Sequence, residues 1–202
     1  MKPFEQVTGA AAPMTAPNID TDVIMPKMFL KGIDRNGLGE GAFNLLRFTD
    51  GKPNAEFILN RDGYRESCFL IVGPNFGCGS SREHAVWGLQ QLGIRALIGT
   101  SFAGIFNDNC ANNGLLTISL EPAVVAELAE IVADPARNAL TVDLVEQTVR
   151  FDHGQRKIMF DVEAERKEAF LTGRDFIGST LVFADDIRAF EAQHRAENPW
   201  LF

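Results

Sequence analysis

The sequence predicts an α/β domain with a mixed sheet and a parallel βαβ unit, on three observations. Cys68 to Val72 (CFLIV) is a continuous apolar run, as expected of a strand buried on both faces. A glycine-rich stretch, a helical-period segment and a second apolar run, Ala96 to Gly99, follow it. Strand, helix and strand at that spacing make a βαβ unit of roughly 30 residues, with parallel strands and a right-handed crossover. Further on, short apolar runs separated by turn signals read as antiparallel pairing.

In chain order, the first sixty or so residues read as irregular. They hold Pro3, Pro13, Pro17 and Pro26, then Gly32, Gly37, Gly39 and Gly41, which punctuate turns. Within them, the segment from Pro17 to Pro26 (PNIDTDVIMP) suggests a rigid loop, because Asn and Asp side chains bond nearby backbone. The loop from Pro26 to Gly41 is expected to order on binding. After the first strand, Ser80 to Leu92 reads as a helix, with Ala85, Leu89 and Leu92 on one face and Gly93 as its stop. Phe102 to Asn113 reads as a helix ending at Gly114, and Leu115 to Leu120 as a strand. Pro122 opens a helix through Val132, and Asp134-Pro135 ends it. Ala139 to Val145, Thr148 to Phe151 and Lys157 to Val162 read as antiparallel strands, with a turn at His153-Gly154. Ala164 to Leu171 and Asp185 to Glu197 close the chain as helices.

With 202 residues, and roughly 100–200 residues per domain, the expectation is one domain over 1–202, with a loop-rich N-terminal third and a C-terminal helical extension. The net charge of −8 argues against nucleic acid and against an anionic membrane as partners, since both are bound through Lys and Arg. A local arginine can still hold an anionic small molecule. Cys68, Cys78 and Cys110 are odd in number and lack C-x-x-C spacing, which disfavours a disulfide framework or a self-contained zinc or iron–sulfur site. No signal-peptide pattern or membrane-length apolar run is present, so a cytoplasmic location is expected.

The segment from Gly73 to Ala85 (GPNFGCGSSREHA) carries the strongest chemistry. Its glycines let backbone N–H groups approach a ligand, and a helix start adds unpaired donors and a positive dipole end. Ser80 and Ser81 suit an N-cap, with Glu83 at capping-box spacing from Ser80. Arg82 offers a two-pronged grip on a carboxylate. A Walker loop is excluded because Gly79, not Lys, precedes Ser80; a dinucleotide fingerprint lacks its third glycine; a nucleophile elbow lacks G-x-S-x-G. On composition and spacing alone the segment reads equally as a capped helix with a structural arginine.

The string GCGSSREHA resembles the signature of the aconitase superfamily's swivelling domain. NIDTD followed by Ile24-Met25-Pro26 resembles the opening motif of the small-subunit family of 3-isopropylmalate dehydratase. The stretches Thr100 to Phe106 and Asn113 to Leu116 are similar to that family too, and the likeness runs from about Phe4 to Phe202. The resemblance implies a single swivelling β/β/α-type domain that supplies half of an active site. It implies no cofactor in this chain, a [4Fe–4S] cluster in a partner large subunit, and an isopropylmalate-type substrate. The implied reaction interconverts 2- and 3-isopropylmalate by dehydration and rehydration, a step of leucine biosynthesis. Ser80 matches the family's catalytic base; Ser81, Arg82, Thr21 and Asp22 match its substrate-binding positions; Lys31 and Arg35 are both candidates for a second clamp. Pro26 to Lys31 would be the selectivity loop, and its Met28-Phe29-Leu30 favours an isopropyl group over a third carboxylate. The alternatives are a related dehydratase acting on homoaconitate or a methylmalate, or a non-catalytic anion-binding swivelling module.

Other residues have plainer readings. Cys78 as a nucleophile lacks an evident base. His84, four residues after Ser80, would share its helix face and make a structural hydrogen bond. His153 and His194 read as inert. Asp20 and Asp22 read as turn-forming or Arg-pairing rather than metal-binding. Asn107, Asn109, Asn112 and Asn113 read as caps of the helix begun at Phe102. The apolar tail from Pro199 to Phe202 either folds back on the core or docks on the larger subunit.

Overall fold

A computed structural model describes residues 1–31, 35–151 and 153–201. In chain order the strands are β1 (Gln6–Met14), β2 (Phe48–Thr49), β3 (Lys52–Pro53), β4 (Phe69–Val72), β5 (Ala96–Gly99), β6 (Leu116–Ser119), β7 (Ala139–Asp143), β8 (Thr148–Phe151) and β9 (Arg156–Met159). The helices are α1 (Thr21–Ile24), α2 (Leu38–Gly41), α3 (Asn44–Arg47), α4 (Glu83–Gln91), α5 (Gly104–Asn113), α6 (Pro122–Val132), α7 (Ala164–Thr172), α8 (Phe176–Leu181) and α9 (Ala184–Glu197). Short 3-10 turns cover Lys27–Lys31, Ile58–Asn60 and Pro199–Leu201.

The main sheet has seven strands in the order β6-β5-β4-β1-β7-β8-β9. The first four run parallel and the last four antiparallel, so β1 belongs to both halves. The predicted βαβ unit is β4-α4-β5, with the register Leu70 opposite Leu97. The apolar run of β4 has the expected cause. Leu70 and Val72 face the cluster formed with Ala85, Val86 and Leu89 of α4 and Phe106 of α5. Phe69 and Ile71 face the opposite cluster, formed with Val125, Leu128 and Val132 of α6 and with Phe151 and Phe170.

One expectation is overturned: the N-terminal third is not wholly irregular, because β1 sits at the middle of the sheet. Its sequence, QVTGAAAPM, lacks the β-branched and aromatic residues that mark strands, and a proline in a central strand argues against one. Tertiary geometry resolves this. Residues 10, 12 and 14 face β4: Cys68 N–H donates to Ala10 O, and Gly73 N–H to Met14 O. Odd residues face β7, and Ala11 N–H donates to Asn138 O, just before β7 begins. Pro13 therefore points past the end of β7, where its missing N–H removes no ladder bond.

The remaining elements lie close to expectation, with α6 spanning the predicted residues. Gly114 closes α5 in the left-handed region. Helix α8 is an addition to the predicted elements. In the predicted loop from Pro26 to Gly41, Lys27–Lys31 forms a 3-10 turn and Leu38–Gly41 a helical turn, while 32–34 lie outside the described residues. Among the described residues, no helix is long and apolar enough to cross a membrane.

Candidate active site

Strands β1, β4 and β5 are parallel neighbours, so the loops that follow them emerge at one edge of the sheet, where α/β folds bind ligands. The loops after β1 and β4 are stitched together. Asn18 N–H donates to Pro74 O at 2.9 Å, Gly77 N–H to Ile19 O at 2.7 Å and Thr21 N–H to Cys78 O at 2.8 Å. Asp20 and Cys78 form a parallel bridge, so strand pairing resumes beyond the sheet. Two side chains extend the seam: Asn75 Nδ2 donates to Asn18 Oδ1 at 2.8 Å, and Thr21 Oγ1 donates to the Ser80 carbonyl at 2.8 Å. The loop after β5 joins through Ser101, whose hydroxyl accepts from Asn75 N–H and whose carbonyl accepts from Phe76 N–H.

Two glycines are obligatory in this seam. Gly77 has φ +78°, and a Cβ there would lie 2.1 Å from Phe106 Cγ. Gly79 has φ +93° and turns the chain beside Thr21. Asn18 and Asn75 also take positive φ, which asparagine tolerates better than most residues.

The helix start differs from expectation. Helix α4 begins at Glu83, not Ser80, and Arg82 is its N-cap, without a side-chain cap bond. The capping box does not form, because the seam holds the Ser80 backbone through Thr21 and keeps Arg82 extended at φ −122°, ψ 100°. Glu83 instead accepts from Asn113 Nδ2 at 2.7 Å. His84 therefore does not share a helix face with Ser80; its ring packs on Trp87 at 4.8 Å. Asn113 does not act as a simple cap. It also accepts from Trp87 Nε1 at 2.8 Å, so its side chain braces α5 against α4. Asn107 Oδ1 accepts from the Thr117 hydroxyl.

Ser80 and Ser81 are both exposed, and among the described residues neither hydroxyl has a hydrogen-bond partner. Arg82 Nη1 donates to Asp22 Oδ1 at 2.6 Å and to Met25 O at 3.2 Å. The Arg82 side chain is 15% exposed and Asp22 49%, so the pair is anchored on the arginine side and open to water on the other. Asp20 is the N-cap of α1 and accepts from Val23 N–H at 2.8 Å. The two carboxylates thus divide as the sequence suggested, one forming a turn and one pairing with arginine. Thr21 is buried, with its hydroxyl committed to Ser80.

The two further clamp candidates are not brought to the Arg82 pair by any contact among the described residues. Lys31 is exposed at the end of its 3-10 turn. The Arg35 guanidinium lies 4.1 Å from the centroid of the Trp87 ring. In the Pro26 to Lys31 stretch, Phe29 and Leu30 pack against the core, which leaves Met28 as the exposed apolar member.

The three cysteines do not converge. Burial pushes the Cys68 thiol up to about 11 and holds the Cys110 thiol well above its usual value, which disfavours the thiolates an iron–sulfur cluster requires. Among the described residues, no group of three or more His, Cys, Asp or Glu side chains could hold a metal ion. A cavity of about 760 Å³ lies elsewhere, lined by residues of α5, α7 and α8 and by Met1, and contains none of the predicted site residues.

Sequence reasoning missed Asn18, Asn75 and Ser101 as parts of the seam. All three lie inside or beside the family-like motifs, but nothing in their spacing signals pairing between loops.

The family model described as the aconitase C-terminal domain matches residues 1–123. A second, described as the C-terminal domain of the 3-isopropylmalate dehydratase small subunit, matches residues 177–202. The chain is 58% identical to the 3-isopropylmalate dehydratase small subunit 1 of Mannheimia succiniciproducens, over 100% of this chain and 99% of that one. It is 50% identical to small subunit 2 of Salmonella typhimurium, over 100% and 96%. Among solved structures, a 3-isopropylmalate dehydratase chain from Methanocaldococcus jannaschii superposes with a TM-score of 0.65 at 22% identity, covering 93% of this chain and 98% of that one, a likeness of fold.

Proposed function

Because the chain belongs to the 3-isopropylmalate dehydratase small-subunit family, we propose that it supplies the base and a carboxylate clamp to the heteromeric hydro-lyase that interconverts 2- and 3-isopropylmalate in leucine biosynthesis. The observation that carries the reading is the seam between the two loops. It fixes the backbone of Ser80 while leaving the Ser80 and Ser81 hydroxyls without a partner among the described residues, at the carboxyl edge of the parallel strands.

In this reading Ser80, deprotonated beforehand to solvent, takes the proton from the substrate carbon and becomes the neutral hydroxyl, and Ser81 steadies the alkoxide before transfer by donating a hydrogen bond to it. A free hydroxyl is a poor base at neutral pH. The nearby Arg82 charge and the N–H groups opening α4 favour the anionic form. Arg82 binds a substrate carboxylate with the edge of its guanidinium that Asp22 leaves free, and Asp22 holds the fork in orientation. Thr21 positions Ser80 through its carbonyl. Arg35 is already stacked on Trp87, which favours Lys31 as the second clamp. Met28 is the apolar group available to the isopropyl branch.

The leaving hydroxyl needs a Lewis acid, and the resemblance assigns that task to a [4Fe–4S] cluster on the large subunit. The exposed serines also call for a partner surface to close the site and exclude water. The reading includes a cytoplasmic location and one domain over 1–202. The test is reconstitution. The chain alone turns over no isopropylmalate, and activity appears on anaerobic mixing with a large subunit. Preference is read against homoaconitate and a methylmalate. Turnover by the isolated chain overturns the reading.

A further inference from the structure

We propose that the segment 176–201, built on α8, α9 and the last 3-10 turn, is the surface by which this chain docks on its large subunit; the inference rests on the functional reading above. Neither α8 nor α9 buries a single residue. Nine of the fifteen exposed large apolar side chains among the described residues lie in 176–201. Phe176 is 74% exposed, Phe190 67% and Trp200 73%. Monomers seldom leave so concentrated an apolar surface open, and an isolated 14-residue helix is marginal in water without a face to pack on. Trp200 and Leu201 of the apolar tail are both exposed, and Phe202 lies outside the described residues.

The segment is rooted in the domain. Phe170 of α7 is buried in the core, its carbonyl accepts from Phe4 N–H, and Gly173 O accepts from the Met1 amino terminus. The exposed side chains therefore start from a fixed point rather than from a free tail.

The occupant follows from how the chain divides between the two family models. Residues 1–123 match a domain described as the C-terminal part of aconitase, where the chain itself joins it to the remainder. Residues 177–202 match a model specific to the small subunit, and these are also the residues that expose the apolar side chains. A domain made as a separate chain must replace a covalent tether with a non-covalent anchor. An apolar groove on the large subunit is the complementary surface, with basic residues at its rim to meet Asp186 and Glu191, while Asp185 pairs with Arg188 within α9.

The test is the full chain carrying Phe190→Asp and Trp200→Asp, measured for binding to the immobilised 3-isopropylmalate dehydratase large subunit. The expected result is a Kd raised at least about tenfold, since exposed aromatic anchors dominate such interfaces. The melting temperature of the isolated chain and kcat at saturating large subunit stay unchanged. An unchanged Kd overturns the docking surface. So does a large fall in melting temperature, which would make the segment part of this chain's own core. A self-associated wild-type chain that the substitutions dissociate, with large-subunit binding intact, assigns the surface to a second copy and also overturns the proposal. Ser80→Ala separates this from the functional reading, because it lowers kcat at least about a hundredfold and leaves the Kd as it is. A wild-type chain that binds no large subunit at all overturns both.

Discussion

Removing one hydroxyl from the seam separates catalysis from architecture. The Ser80 hydroxyl has no partner among the described residues, is exposed, and does not cap α4, which begins three residues later. The hold on Ser80 passes through its carbonyl, which alanine retains. An N-cap serine would cost about 1 kcal/mol when lost, but here Ser80→Ala should change stability by no more than about 0.5 kcal/mol, as for other surface substitutions. A positioned general base is worth roughly 10²–10⁴ in rate, or about 2.7–5.4 kcal/mol of barrier at 1.36 kcal/mol per decade. The substitution should therefore lower kcat of the reconstituted enzyme by that factor, leave KM nearly unchanged because Arg82 remains, and leave the melting temperature where it was. Ser81→Ala should cost less, through one supporting hydrogen bond. The measurements are kcat and KM with excess large subunit, and thermal unfolding of the isolated chains. A Ser80→Ala enzyme within a few-fold of wild type, or a Ser81→Ala enzyme that is the worse of the two, would refute the assignment of the base.

Arg82→Lys should lower kcat/KM at least about tenfold, because a point charge cannot both meet Asp22 and grip a carboxylate in two places; unchanged kinetics would make Arg82 purely structural. Gly77→Ala meets left-handed strain of about 1–2 kcal/mol and overpacking against Phe106 of about 1–3 kcal/mol. Melting should fall by roughly 4–20 °C, and a shift within about 2 °C would show that the seam relaxes. The Cys68 thiol sits at about 11 in the folded chain against 9.0 as a free thiol, so the folded state holds that proton more tightly. Its contribution is complete below pH 9 and fades as pH rises through 11. Melting temperature should drop over that window and drop less in Cys68→Ala, and equal slopes would remove Cys68 as the cause.

Local sequence suffices for the βαβ unit, because the apolar run of β4 and the glycine stop of α4 act over a few residues and leave one solution. It suffices for the limits of α6 in the same way, through Pro122 and Asp134-Pro135. The residues of both site motifs were also legible, since their types and order are local facts. Three matters depend on long-range packing alone. Strand β1 exists because its neighbours β4 and β7 accept a weak strand and leave Pro13 without a bond to lose. Helix α4 starts at Glu83 because Thr21, 59 residues before Ser80, takes the Ser80 carbonyl and outcompetes a local cap. Arg82 meets Asp22 because two loops from parallel neighbours emerge at one edge of the sheet. Local propensity cannot report such contacts, since the bonds that settle them join residues distant in the chain, and their energies exceed the small preferences that a short window of sequence carries.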